Sequence, residues 1–330
     1  MGFSHIRAQE AAHAVLENAL THDKLAQAYL FVGPSGVGKQ STALSLARAR
    51  LCEVRPGEGC GSCEVEKRID DGTHPDVRIF TPRDEGNRNL QVEFVREELL
   101  PLTKFAPFEA RATFLIFPEA DVSFPVQHAE SANALLKTLE EPRPAVHFLL
   151  LSERPDRLLP TIRSRCQRVR FSPLPADVLE DILAAHDVPA ESRAPAIALC
   201  GGRADRALEL AEEDLAVRML DVAVAVDRAV GERKGGTLLE LCESLARDEH
   251  RDIALESLSL YYRDVAAAAL EVPDEQLAFR HRAELIRERA RTLAPAVAAE
   301  RVAAIAELGE ALERNANPQV ALEGLFFGMS

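Results

Sequence analysis

Gly33, Gly38 and Lys39 stand at the spacing of a phosphate-binding loop, within the segment "GPSGVGKQS" that runs from Gly33 to Ser41. Backbone amides entering a helix in this way can cradle phosphate oxygens, and a lysine ammonium supplies the countercharge. Gly33, Ser35, Gly36, Gly38, Lys39, Gln40 and Ser41 are therefore candidate nucleotide-binding residues. The usual pattern follows the lysine at once with Ser or Thr, whose hydroxyl holds Mg²⁺. Gln40 stands there instead, and the hydroxyls arrive late, at Ser41 and Thr42. Gln40 offers an amide oxygen on a longer stem to an ion that demands near-octahedral geometry. Ser41 points roughly 100° further round a helix of ~3.6 residues per turn. The loop is read either as a phosphate or nucleotide site with damaged metal chemistry, or as a shape kept for packing.

A second group is Cys52, Cys60 and Cys63, three of the six cysteines in 330 residues. So few cysteines do not make a disulfide framework, and a C-x-x-C pair with a third thiol nearby favours a metal in a reducing compartment.

Elements that would position these residues are legible around them. "AQEAAHAVLENALTHDKL" has helical spacing of apolar residues and leads into "AYLFV", a short buried strand that ends at the loop. "QSTALSLARARLC" continues as a helix. Two further apolar runs, Ala112–Phe117 and Val146–Ser152, read as core strands. Between them "AESANALLKTLEEP" reads as a helix stopped by Pro142. Strands alternating with helices imply a mainly parallel sheet covered on both faces. Ligands of such sheets bind beyond the carboxyl ends of the strands, where the loop lies. After "SPLP" the chain becomes a series of short amphipathic helices, and from about Leu215 long ones.

Bulk properties limit the function classes. A chain of 330 residues exceeds one ordinary core. Apolar residues at 47% and charged residues at 28% describe a folded, soluble protein. No apolar run approaches the length of a membrane span and no secretory leader pattern opens the chain, so a cytoplasmic location is expected. The formal net charge of -14 argues against independent binding to DNA, itself a dense line of negative charge.

"AYLFVGPSGVGK", "GTHPDV", "SANALLKTLEEP", "RLLPTIRSRCQ" and "NANPQVALEGLFF" occur in that order and resemble the bacterial clamp-loader subunits of the AAA+ family. The resemblance spans about Ile6 to Phe327. It implies an AAA+ P-loop core over residues 1–171, an insert at about 52–75, a helical lid over 172–214 and an all-α collar over 215–330. The implied partners are gamma/tau and delta subunits in a five-membered ring, with the sliding clamp and primed DNA reached through that complex and no membrane.

Residue roles follow from the same resemblance. Active relatives end the "FLIF" strand with Asp-Glu, the first positioning Mg²⁺ and the second polarising water. This chain has Pro118 and Glu119 there, so Glu119 is vestigial. The segment from Pro118 to Asn133 also runs a few residues longer than the family pattern, with "SFPVQ" as the insertion. In the lid, Asp205 replaces an arginine that senses the γ-phosphate. Ser152 falls at the sensor-1 position. Arg165 of "SRC" is the residue that crosses to a neighbour's ATP, as an arginine finger does. Relatives often hold structural zinc with C-x8-C-x2-C-x2-C. Here the first spacing is C-x7-C and Glu66 occupies the fourth position, so zinc would sit on Cys52, Cys60 and Cys63 with either Glu66 or His74.

These residues lead to a member of the ring that hydrolyses ATP weakly or not at all, with ATP or ADP an optional ligand, and supplies Arg165 in trans. A gamma/tau-type motor is the alternative that Gln40, Pro118 and Asp205 oppose. A stand-alone AAA+-derived adaptor is the alternative that the intact finger and collar segments oppose.

Overall fold

The computed structural model describes residue 3 and residues 6–82, 89–126, 129–140, 143 and 145–329. The chain divides into two compact units, Met1–Pro175 and Ala176–Ser330.

The first unit is built on five strands: β1 (Ala28–Val32), β2 (Val77–Ile79), β3 (Thr113–Phe117), β4 (Val146–Ser152) and β5 (Gln167–Arg170). They lie in the order β2-β3-β4-β1-β5, and every pairing is parallel. β1 runs beside β4 from Ala28 opposite Phe148 to Val32 opposite Ser152. The three central strands are continuous apolar runs because helices cover both faces of the sheet. The edge strands differ. β5 buries only Val169 and β2 only Val77, while their arginines stay in water.

Helices α1 (Glu10–Thr21), α2 (Lys39–Leu51) and α3 (Glu64–Asp70) belong to the first half of this unit. A segment of α4 (Val92–Phe94), a π-helical turn (Val95–Leu99) and α5 (Leu100–Lys104) precedes β3. Then come α6 (Ala120–Ser123), α7 (Ala129–Glu140) and α8 (Pro160–Arg163). Leu135 and Leu139 of α7 and Ile162 of α8 share one core with Leu30, Leu115, Phe117, Phe148 and Leu150. Each such fully buried side chain is worth about 1.5–3 kcal/mol relative to exposure. Within the expected insertion, Phe124 is fully buried with its ring 5.2 Å from that of Phe117, while Gln127 lies outside the described residues, as does Pro142.

The second unit is helical: α9 (Ala176–Ala185), α10 (Ala190–Leu199), α11 (Ala204–Ala211), α12 (Leu215–Gly231), α13 (Gly235–Arg247), α14 (Arg251–Ala269), α15 (Ala283–Ala290), α16 (Pro295–Glu313) and α17 (Pro318–Gly328). The helices expected for lid and collar all fall within it. Its buried polar centre is Asp227, which accepts hydrogen bonds from Tyr261 (3.1 Å), Tyr262 (3.0 Å), Arg289 (2.9 Å) and Arg301 (3.0 Å). Among the described residues no helix is long and apolar enough to cross a membrane.

His147 near the start of β4 is buried, and its Nδ1 donates to the Ala26 carbonyl at 3.0 Å. Burial depresses its pKa below the ordinary value, and His281 in the second unit is shifted the same way. A histidine whose folded pKa is lowered leaves stability intact above its unfolded pKa of about 6.5 and withdraws it as pH falls further. Chemical denaturation is therefore expected to give a lower unfolding free energy at pH 5.5 than at pH 7.5. The decline should be shallower in His147→Asn, whose amide does not titrate.

Candidate functional site

The glycine loop joins β1 to α2. Gly36 and Gly38 have φ of +63° and +93°, a left-handed backbone that L side chains adopt at a cost. Gly33 is required for a different reason. A Cβ there would lie 2.5 Å from the carbonyl oxygen of Phe171 and 2.9 Å from its Cβ. The Gly33 amide donates to the Ser152 carbonyl at 3.2 Å, tying the loop's first residue to the end of β4. The loop thus keeps the bend and the exit into a helix N-terminus that phosphate binding needs.

Lys39 is buried, and its ammonium donates to the loop carbonyls of Gly33 (2.7 Å) and Pro34. Gln40 and Ser41 both point to solvent, whereas Thr42 is buried. The buried hydroxyls of Ser35, Thr42 and Ser152 have no hydrogen-bond partner among the described residues. Ser35 lies in the loop and Ser152 bonds it through its backbone, so a polar ligand or water there would satisfy groups that now lack partners. Nucleotide fits the loop on this ground. The metal handles are another matter. Pro118 closes β3 with no side-chain oxygen, Glu119 follows at the start of α6 and is half-buried, and Asp121 lies within α6.

One residue that sequence reasoning passed over belongs to this site. Gln9 is buried just ahead of α1, where its Nε2 donates to the carbonyls of Val37 in the loop (3.3 Å) and Ser172 (2.8 Å). Its Oε1 accepts the Ser172 amide at 3.0 Å. A glutamine opening a helix reads as a solvent-facing residue, and no spacing marks it. The neighbouring φ of +59° at Ala8 is equally invisible in the sequence.

Arg165 lies in the turn between α8 and β5. Its Nη1 donates to the Thr161 carbonyl at 2.8 Å and its Nη2 pairs with the Glu140 carboxylate at the end of α7. The side chain is one-third exposed. The adjacent Cys166 packs inward, and burial pushes its thiol up to about 12, far from a reactive thiolate. In the second unit Asp205 accepts the backbone N–H of Arg206 at the start of α11 and faces Arg203, while Arg206 pairs with Glu256. An acid in a helix's first turn complements the dipole, which accounts for Asp205 without any phosphate.

Cys52, Cys60, Cys63 and Glu66 converge, with one ligand atom from each within 4.8 Å of the others. His74 does not join them. Its Nδ1 accepts the Asp76 amide at 3.2 Å and its Nε2 lies 3.5 Å from Glu109. The Glu66 oxygens accept the amides of Cys60 and Gly61, both at 2.6 Å. Burial works against this carboxylate, and those hydrogen bonds outweigh it, so its pKa lies below the usual value. A hydrogen bond from the Ser62 backbone lowers the Cys60 thiol, and burial pushes Cys63 up to about 11. Zinc–sulfur bonds of ~2.3 Å require thiolates a little under 4 Å apart in a tetrahedron. A small contraction of the cluster achieves that, and each carboxylate oxygen keeps a second lone pair for a metal. The residues present fit zinc.

An all-parallel sheet, a glycine loop leading from its central β1 into a helix, and a separate helical unit define an AAA+-type P-loop protein. A sequence profile described as "DNA polymerase III, delta subunit" matches residues 8–175. The delta-prime subunit of DNA polymerase III from Bacillus subtilis (strain 168) is 30% identical over 315 residues, 94% of this chain and 93% of that protein. The delta-prime subunit from Pseudomonas aeruginosa is 38% identical over 181 residues, 54% of this chain and 53% of that one. The Bacillus subtilis tau subunit is 36% identical over 51% of this chain and 29% of its own length. The chain belongs to the DNA polymerase III delta-prime family of clamp-loader subunits.

The packing of Gly33 on Phe171 makes a direct prediction. Gly33→Ala forces a methyl into backbone, and overpacking of this kind costs about 1–3 kcal/mol. Thermal or urea denaturation should register that loss.

Proposed function

We propose that this clamp-loader subunit acts in its ring as a stator: it drives no ATP hydrolysis of its own and contributes Arg165 to the nucleotide site of a neighbouring gamma/tau-type subunit. The observation that carries this reading is the contrast between the two sites. Arg165 is exposed and held at two points, while the loop's own metal chemistry is depleted at Gln40 and at Pro118. Phosphoryl transfer depends on metal and positioned charge for nearly all its acceleration. A site short of both handles turns over poorly, and an arginine directed at another subunit's phosphate is unaffected by that loss.

ATP or ADP is the ligand that Gly33–Lys39 would take, with Ser152 beside it; Glu119 is vestigial. Residues 172–214 act as the lid and 215–330 as the collar that joins gamma/tau and delta in a five-membered ring. Val320 and Phe327 of α17 are exposed, which suits a helix that packs against other subunits. The sliding clamp and primed DNA are met through that assembly, in the cytoplasm. Zinc, when bound, would close the 52–75 insert through Cys52, Cys60, Cys63 and Glu66 as a structural cross-link.

In a reconstituted clamp loader, Arg165→Ala is expected to cut ATP turnover by at least about 10²-fold, toward the 10³–10⁵ attributed to arginine fingers, and Lys39→Ala to leave it unchanged. Damage from Lys39→Ala alone would assign hydrolysis to this subunit. Metal analysis of purified chain should return one zinc, lost in Cys60→Ser, and a chelator should lower the melting temperature. A metal-free chain with an unchanged melting temperature would leave the insert as a bare loop.

A further inference from the structure

The Arg165–Glu140 pair makes little sense as a stabilising device. Glu140 is the last residue of α7, and a carboxylate at a helix C-terminus faces unsatisfied carbonyls and the negative end of the dipole. Its ion pair with Arg165 is solvent-accessible on both sides, 32% and 47% exposed, the class of pair that contributes least to folding. The pair instead fixes a direction. A guanidinium is a planar fork with five N–H donors. One is taken by the Thr161 carbonyl and one by Glu140. Two anchors on different nitrogens set both the position and the tilt of the plane, leaving three N–H groups without a partner among the described residues. The anchors are themselves rigid. Leu139, one residue before Glu140, and Ile162, one residue after Thr161, are both buried in the sheet's core.

From this geometry we infer that Glu140 is a positioning residue: it holds the Arg165 fork pre-oriented toward a phosphate group carried by a neighbouring subunit. The inference rests on the trans role of Arg165 proposed above. Orientation matters because a misplaced catalytic group forfeits much of its rate advantage. Before assembly the carboxylate also neutralises a cation that would otherwise stand free on the surface.

The test is steady-state ATP turnover by the reconstituted clamp loader, with Glu140→Gln, Glu140→Asp, Arg165→Ala and the double variant Glu140→Gln/Arg165→Ala. Glu140→Gln is expected to lower kcat about tenfold with KM for ATP unchanged, since orientation acts on the transition state. Glu140→Asp keeps the charge on a shorter stem and should fall between. The double variant should turn over at the rate of Arg165→Ala alone, because a residue acting only through Arg165 has nothing left to position. Melting temperatures of the isolated chains should agree within about a degree, as for exposed pairs generally. A purely structural role would lower stability and add its effect to Arg165→Ala. Glu140→Gln turning over like wild type, or faster, overturns the positioning role while a crippled Arg165→Ala still upholds the finger. If Arg165→Ala itself is silent, the finger fails and the positioning role with it.

Discussion

Gly33 occupies the point where β1 leaves the sheet, and the space a side chain would need there is already taken by the backbone of Phe171. The rest of the site is arranged around that approach. Because Phe171 follows β5 directly and its amide bonds the Val32 carbonyl at 2.8 Å, the end of β5 presses on the start of the loop. Ser152 at the end of β4 receives the Gly33 amide from the other side. The loop is therefore wedged between the two strands that flank β1, and Gln9 adds a third tie through Val37 and Ser172. Its shape is set by backbone packing, so it does not require a bound ligand to hold it, and it persists whatever side chains decide about metal.

That separation of shape from chemistry explains how the loop tolerates Gln40 and Ser41. Both project into solvent and bear on none of the contacts that hold the backbone. Thr42, by contrast, is buried in the first turn of α2, so its hydroxyl belongs to the interior and is no replacement for an outward metal ligand. Lys39 folds back on the carbonyls of its own loop, which satisfies a buried ammonium.

What was legible in the sequence follows the same physics. The three central strands declared themselves as apolar runs because both of their faces are covered, and β1 and β4 match the expected segments end to end. The edge strands β2 and β5 gave no such signal. With one side open to water, "VRI" and "QRVR" carry arginines and read as loop. The convergence of Cys52, Cys60, Cys63 and Glu66 was suggested by type and spacing, whereas the exclusion of His74 was not. That exclusion depends on the local Asp76 amide and on Glu109, thirty-five residues on, which the fold brings to the imidazole. Gln9 and Glu140 were illegible for a related reason. Each acts through a partner more than twenty residues away, and a polar residue on a helix end carries no mark of what it will touch.

A nucleotide site shared between two chains divides its chemistry into parts that can be lost separately. On the reading proposed above the loop and the lid would serve the chain's own nucleotide, and Gln40, Pro118 and Asp205 all fall on that side. On the same proposed reading the Arg165 turn serves another chain, and there α8 is anchored by Ile162, Cys166 packs beneath the turn, and Thr161 and Glu140 hold the guanidinium. Ile162 and Cys166 pack in the same core as Leu30 and Phe117, so the turn that carries Arg165 is braced by the interior of the sheet. If the proposed reading holds, a chain that hydrolyses no ATP still keeps its finger in place, because the sheet's core, and not a bound nucleotide, holds the turn.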